Sequence, residues 1–429
     1  MLPIECRRGG ESGGWFIGRD VHPPEFRHRE RPEPDESYDT AKYRRGVVND
    51  PETGRIRRDC GDPRVPAMER IEPGRYRLTL DDNSLSGRTD MTGNFELGEI
   101  FSLHPRQRLG AGNGITITSS RHLLFSRFDI HAADSHAYGI ATSAAVKFPD
   151  CAVEPAPGRV SLTNADAFHC RSNRKGIYLE RCRVFLMNDD CMNFYSKLAS
   201  VGEVREDRRF TVLQASTRNE SLLDFRAGDA VAFVNPNNGE MDGTAVIEAI
   251  EVGTWGEQRD IMTLVLDRPV PGILSRRVVG RPDVYAEREY TQSGADNYRA
   301  AMAIEAPFEH MILNLSAKND GFIIRHCEMG HNRATGFKCK ATNGVMRNTR
   351  FHDQVLLFQS EPDWQEGTFP GYLEVTDVVA DKGIRYQATL PGKRLRGAEA
   401  ARHIHDVRFR RVRDAEGRDI PSPSEACAE

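Results

Sequence analysis

Apolar and polar residues alternate in short runs along most of this chain, and several of the runs repeat one another. Gly176-Ile-Tyr-Leu-Glu-Arg-Cys182-Arg-Val-Phe185, Gly321-Phe-Ile-Ile-Arg-His-Cys327-Glu-Met329, Gly344-Val-Met-Arg-Asn348-Thr-Arg-Phe351 and His403-Ile-His-Asp406-Val-Arg-Phe409 each read as a brief β-strand with a small or polar residue at one register. In three of the four, Phe follows that residue three positions later. Cys327 and Asn348 are 21 residues apart, a period that suits one coil of a parallel β-solenoid built from short strands with Gly, Asn and Asp at its corners. Coils stacked about 4.8 Å apart favour ladders of similar side chains at inward corners. Cys182, Cys327 and Asn348 are therefore expected in one ladder, the cysteines buried and inert. Residues 115–130 follow the same grammar, so coils are predicted to begin near residue 113.

After Ser196 the pattern changes. Residues 209–214, 229–234, 244–251 and 261–266 are longer alternating runs, separated by turn residues such as Ala227-Gly228-Asp229 and Asn235-Pro-Asn-Asn-Gly239. They predict a small antiparallel β-barrel, at 198–290, inserted between two solenoid segments at 111–197 and 291–412. Residues 1–70, rich in Arg, Glu, Asp, Gly and Pro, are expected to be irregular. A small β-element is expected at 71–110, entered by the strand at 73–80, and a frayed tail at 413–429.

Composition then narrows the function. The 429 residues carry 59 basic and 63 acidic side chains, a net charge of −4, which supplies no general field toward nucleic acid or anionic membrane. No apolar run approaches the roughly 18 residues that a spanning helix needs. The 9 cysteines are odd in number and contain no C-x-x-C pair, so neither a disulfide framework nor a zinc site is signalled. No metal or cofactor is expected. The start, Met1-Leu-Pro-Ile-Glu-Cys6, lacks a signal-peptide pattern, which is expected of a cytoplasmic chain or of one whose natural start is missing.

The densest polar constellation falls on two consecutive coils, Asn164-Ala-Asp166-Ala-Phe-His169-Cys-Arg171-Ser-Asn173 and Met187-Asn-Asp189-Asp190-Cys-Met-Asn193-Phe-Tyr195. Asp166 and Asp189 are 23 residues apart, close to one coil, so a solenoid brings them onto neighbouring strands of one face. Crowded carboxylates raise one pKa and leave a protonated acid beside an ionised base. Such a pair flanking a glycosidic bond is the equipment of glycoside hydrolysis. Asp189 and Asp190 point to opposite faces of a regular strand, so both serve one cleft only at a bend.

These segments resemble glycoside hydrolase family 110. Asp166-Ala-Phe-His169 and Asp189-Asp190-Cys-Met-Asn193 are similar to its Asp-Gly/Ala-x-His and Asp-Asp-x-x-Asn pair. Asn332-Arg333-Ala-Thr-Gly336-Phe-Lys338, Asn343-Gly-Val-Met-Arg-Asn348 and Glu361-Pro-Asp-Trp364-Gln-Glu366-Gly367 resemble further segments in the family's order. The likeness runs from about residue 110 to 410. It implies an all-β fold, a right-handed parallel β-helix with an inserted barrel, and an inverting α-galactosidase that needs no cofactor. Asp166, Asp189 and Asp190 match the acidic cluster; His169, Asn193, Arg333, Lys338, Glu361, Trp364 and Glu366 match positions expected to bind sugar, Arg333 alternatively bracing a catalytic carboxylate. Lys338, Lys340, His326 and His331 lie near Arg333 in sequence and add positive potential that also suits an acidic sugar. The chain departs from the family at Ala167, Phe194 and Tyr195, beside the expected cleft, and begins without the family's secretion signal and first coils.

The implied partner is an oligo- or polysaccharide, with no nucleic acid and no membrane span; a homo-oligomer is left open. A saccharide substrate suggests secretion or a periplasmic location, against the unpaired cysteines. Two other readings stand: a lyase or epimerase acting on uronic-acid glycans, using calcium or a Lys/Arg base, and a noncatalytic carbohydrate-binding β-helix.

Overall fold

A computed structural model describes residues 2–8, 14–19, 45–57, 64–81, 96–104, 112–213, 224–255, 258–279, 307–362, 365–367, 369–390 and 393–426. The chain is nearly all β, and its main body is a pair of curled parallel sheets. In the first, Ile115–Thr118, Tyr138–Ala141, Phe168–Arg171, Met192–Arg205, Phe337–Cys339, Leu356–Ser360 and Ile384–Leu390 lie side by side. In the second, Ala144–Pro149, Lys175–Glu180, Ile323–Arg325, Val345–His352, Gly371–Ala380 and His405–Arg413 do the same. The chain passes between the sheets repeatedly, so each strand is joined to its sheet neighbour through the other sheet. Inward side chains of both, including Phe148, Phe168, Phe194, Phe337 and Phe358, fill one core.

One corner of this body repeats in detail. Asp150, Arg181, His326, Asn348, Asp377 and Arg411 occupy equivalent positions and all take the left-handed backbone conformation, with φ between 48° and 56°. The residue after each turns inward. That places Cys151, Cys182, Cys327 and Thr349 in one ladder, with Cys182 N–H donating to Cys327 Sγ and Cys327 N–H to Thr349 Oγ1, both at 3.4 Å. Cys182 and Cys327 stand in the ladder as expected; Asn348 does not. It is the exposed left-handed residue one position earlier, a conformation that Asn tolerates better than most. Cys151, Cys170, Cys182, Cys191, Cys327 and Cys339 are free and buried.

Met192–Arg205 runs out of the first parallel sheet and pairs antiparallel with Arg209–Leu213 and Met311–Asn314. The pairing continues through Gln258–Leu266, Met241–Trp255 and Ala230–Val234, completing a circuit around Phe210, Phe233, Leu264 and Ile312. Met311–Asn314 belongs to this circuit, so parallel pairing resumes only at Ile323–Arg325. Residues 291–306, expected to begin the second solenoid segment, lie outside the described residues.

Both ends differ from expectation. Within 1–70, Leu2–Arg8, Gly14–Arg19, Arg45–Asn49 and Arg64–Glu72 are strands, and with Arg75–Asp81 and Ile100–His104 they close a six-stranded barrel around Val48, Val65, Leu78 and Phe101. The composition of 1–70 conceals this because its apolar runs are short, as in Arg45-Gly-Val-Val-Asn49, and sit among Arg, Glu, Asp, Gly and Pro. At the other end, residues 413–426 fold back. Ile420 N–H bonds Val412 O at 2.8 Å, Ile420 packs on the main core, and Ser422 is buried.

Candidate active site

The first parallel sheet has two kinds of face. Phe168, Cys170, Met192, Phe194, Phe337 and Cys339 point into the core. The alternate positions point away from it, and the register sets His169, Asn193 and Lys338 in one row across three strands. Two residues before each strand the chain turns a corner, and there the same register aligns His136, Asp166, Asp190 and Thr335.

This corner row is tied together by the backbone. Asp166 N–H donates to His136 Nδ1 at 3.2 Å, Asp190 N–H to Asp166 Oδ1 at 3.3 Å, and Thr335 N–H to Asp190 Oδ1 at 2.8 Å. The Thr335 hydroxyl donates to that same oxygen. Asp190, 24 residues on, is thus the register partner of Asp166, where the sequence spacing suggested Asp189. The chain bends at Asn188 and Asp189, and the bend lets both neighbours serve one place. One carboxylate oxygen each of Asp166, Asp189 and Asp190 lies within 4.8 Å of the others.

Each carboxylate has its own counterpart. His169 Nδ1 is 2.7 Å from Asp166 Oδ2, Lys338 Nζ 3.2 Å from Asp190 Oδ2, and the Arg333 guanidinium 3.0 Å from Asp189 Oδ1. Arg333 also donates to Asn188 O. Lys340, fully buried, contacts Glu361 at 2.9 Å, Asn193 Oδ1 at 3.1 Å and Glu366. Asn193 Nδ2 donates to Glu366 at 3.3 Å. Of the expected residues, Asp166, Asp189, Asp190, His169, Arg333 and Lys338 thus meet at the corner, while Asn193, Glu361 and Glu366 gather around Lys340, and the charges of Glu361 and Glu366 reach Lys338. Trp364 lies outside the described residues.

Protonation within the network is uneven. Burial raises the Asp190 carboxyl, as do Asp189 and Asp166, and despite opposition from Lys338 its pKa is about 6. Burial works the same way on Asp166, but the His169 hydrogen bond, the two imidazoles beside it and the Lys338 charge outweigh it and bring the pKa to about 2. Burial drives His136 down to about 3, so it is neutral at ordinary pH. Burial also opposes the charge on Lys338 and on Lys340. The carboxylates around them, Asp190 foremost for Lys338 and Glu361 for Lys340, win and hold both amines above the usual range.

Among the described residues, two triads have metal-ligand atoms within 4.8 Å of one another: His136, Asp166 and His169, and the three aspartates. The contacts above already engage an Nδ1 or a carboxylate oxygen of every one of these residues. The other two basic candidates lie elsewhere. His326 is an exposed corner residue, and His331 lines a separate cleft of about 910 Å³ with Arg55, Arg350 and His352. Arg333, Lys338 and Lys340 each face a carboxylate.

Sequence reasoning did not assign His136, Thr335 or Tyr195 to the site, and it took Lys340 only for added positive charge. His136 was within reach: Ser135-His-Ala-Tyr-Gly-Ile-Ala-Thr142 matches the coil that holds Asp166, 30 residues earlier.

No protein-family model matches the chain. A distant similarity links it to the alpha-1,3-galactosidase B of Akkermansia muciniphila, 26% identical over 149 residues. The match covers 34% of this chain and 18% of that protein's length. It is a galactosidase-like relationship.

Proposed function

We propose that this protein is a glycoside hydrolase that removes a terminal α-linked galactose, or a related neutral sugar, using Asp166, Asp189 and Asp190. The convergence of three carboxyl groups, among them Asp166 and Asp190 shifted in opposite directions, carries the reading. Asp190 with its proton below about pH 6, beside an ionised Asp166, is the division of labour that acid–base hydrolysis needs. In this reading a cluster member gives its proton to the leaving oxygen as the bond to the anomeric carbon breaks. An ionised member takes a proton from the attacking water, and the negative cluster steadies the oxocarbenium-like transition state.

Arg333 braces Asp189, and Glu361, Glu366 and Asn193, held by Lys340, supply acceptors for sugar hydroxyls. The pairing of every nearby cation argues for a neutral sugar and against a uronate, and it leaves a lyase without a ready Lys or Arg base. A right-handed parallel β-helix with an inserted barrel belongs to the same reading. Its support is the repeated passage between parallel sheets, the stacked corners and the antiparallel circuit fed by Met192–Arg205.

The test is hydrolysis of p-nitrophenyl α-galactoside and a panel of α-galactosyl disaccharides, with the released anomer followed by proton NMR. Release of β-galactose is expected. Release of α-galactose replaces inversion with retention, with a cluster aspartate as nucleophile in place of the activated water. No release from any folded sample contradicts the galactosidase reading.

A further inference from the structure

His169 has both ring nitrogens committed inside the protein. Nδ1 lies 2.7 Å from Asp166 Oδ2 and Nε2 lies 3.0 Å from the Tyr195 hydroxyl. An ionised carboxylate only accepts, so Nδ1 carries a proton toward Asp166, and the Tyr195 hydroxyl donates to Nε2 whenever the ring is neutral. One face of the ring is covered too. His136 stacks on it with centroids 4.0 Å apart, and its own Nδ1 is fixed by the Asp166 backbone N–H. Tyr195 is buried, with Lys340 Nζ 5.7 Å from its ring centroid. An imidazole tied at both nitrogens and packed on one face has little left with which to hold a sugar hydroxyl. It is well placed to hold a carboxylate.

We propose that His169 and Tyr195 are a positioning pair for Asp166. They fix its orientation and keep it ionised, and they act on the reaction through that carboxylate rather than by touching substrate. The groups facing Asp166 are His136 from the preceding corner, His169 on its own strand, Asp189 and Asp190 from the next, and Lys338 beyond. Of these, His169 is the one that Tyr195 ties to the strand carrying Asp190 and Asn193. The step rests on the glycosidase reading. It also gives Tyr195, a departure from the family pattern, a task.

Steady-state kinetics on an α-galactoside test it. Tyr195→Phe, which keeps the ring, is expected to lower kcat about 10-fold and His169→Ala about 100-fold, with KM moving less than about 2-fold. His169→Asn, whose amide N–H substitutes for Nδ1–H, recovers part of that loss. The acid limb of kcat/KM moves to higher pH in His169→Ala, because Asp166 loses the bond that keeps it ionised. A rise in KM at unchanged kcat in His169→Ala makes the residue a substrate ligand and overturns the proposal. So does a Tyr195→Phe variant with wild-type kcat and pH profile. Nitrogen-15 NMR of the histidine rings separates the pair from the glycosidase reading. In a wild type that hydrolyses nothing, a His169 protonated at Nδ1, with an Nε2 signal that moves in Tyr195→Phe, still upholds the pair. An Nε2–H tautomer overturns it.

Discussion

Two corners of the parallel-sheet body carry charged residues and behave differently. At the corner of the second sheet, Asp150, Glu180, Arg181 and Arg325 form a chain of ion pairs with separations of 2.5–3.0 Å, and the arginines are half exposed. At the corner of the first sheet, Asp166 and Asp190 are buried beside His169, Lys338 and the bend at Asp189. Exposure keeps the first group ionised: Arg181 lowers Asp150, and Arg325 with Arg181 lowers Glu180, so no carboxyl there is poised to hold a proton. Removal from solvent splits the second, driving two neighbouring aspartates to opposite sides of their ordinary value. The difference lies in what covers each corner and not in the residue types.

Breaking the buried network produces the largest effect. Lys340→Met leaves Glu361 and Glu366 facing each other without their cation, and should cost about 3–5 kcal/mol in a urea unfolding experiment. The next prediction separates the two aspartates by sign. Asp190 has a raised pKa in the folded state, so the folded protein binds its proton more tightly than the unfolded chain between about pH 4 and 6, and its ionisation destabilises the fold as pH rises through that window. Asp190→Asn should therefore gain up to about 3 kcal/mol relative to wild type between pH 4 and 7.

Asp166 has a depressed pKa and contributes stability that is present above about pH 4 and is lost as pH falls toward 2. Asp166→Asn should lose about 2 kcal/mol relative to wild type over that rise. Chemical denaturation across a pH series reads both. Two variants that drift in the same direction would contradict the split. Arg333→Lys, which cannot bridge Asp189 and Asn188 O with one planar group, should lower kcat/KM about 10-fold, or about 1.4 kcal/mol. At the exposed corner, Arg181→Ala should leave the Tm unchanged by calorimetry at moderate salt.

The sequence made the repeat legible because corner residues recur with it. The approach of Asp166, Asp189 and Asp190 followed from one coil's length, and the need for a bend at Asp189 followed from strand alternation. What escaped has physical reasons. Asn348 was set in the cysteine ladder because a left-handed corner residue and the inward residue after it are adjacent, and the sequence does not say which turns in. His136 escaped because its coil carries Gly139 and Ala141 where later coils carry His169 and Arg171, so only the corner position preserves polarity. The pairing of Lys340 with Glu361 and Glu366 joins segments whose approach depends on the fold, and charge counting along the chain read it as bare positive potential. The N-terminal barrel escaped because its short apolar runs, such as Trp15-Phe-Ile17 and Val47-Val48, are set in stretches dominated by Arg, Glu, Asp, Gly and Pro.

The measurement that tests the central claim most directly is α-galactoside turnover by wild type beside Asp166→Asn, Asp189→Asn and Asp190→Asn, each shown by calorimetry to be folded. Loss of more than about 1,000-fold in kcat in each variant, with wild-type turnover intact, is the expected result. Wild-type rates in all three would contradict the account, since the cluster would then be a structural feature of the corner and not the seat of the chemistry.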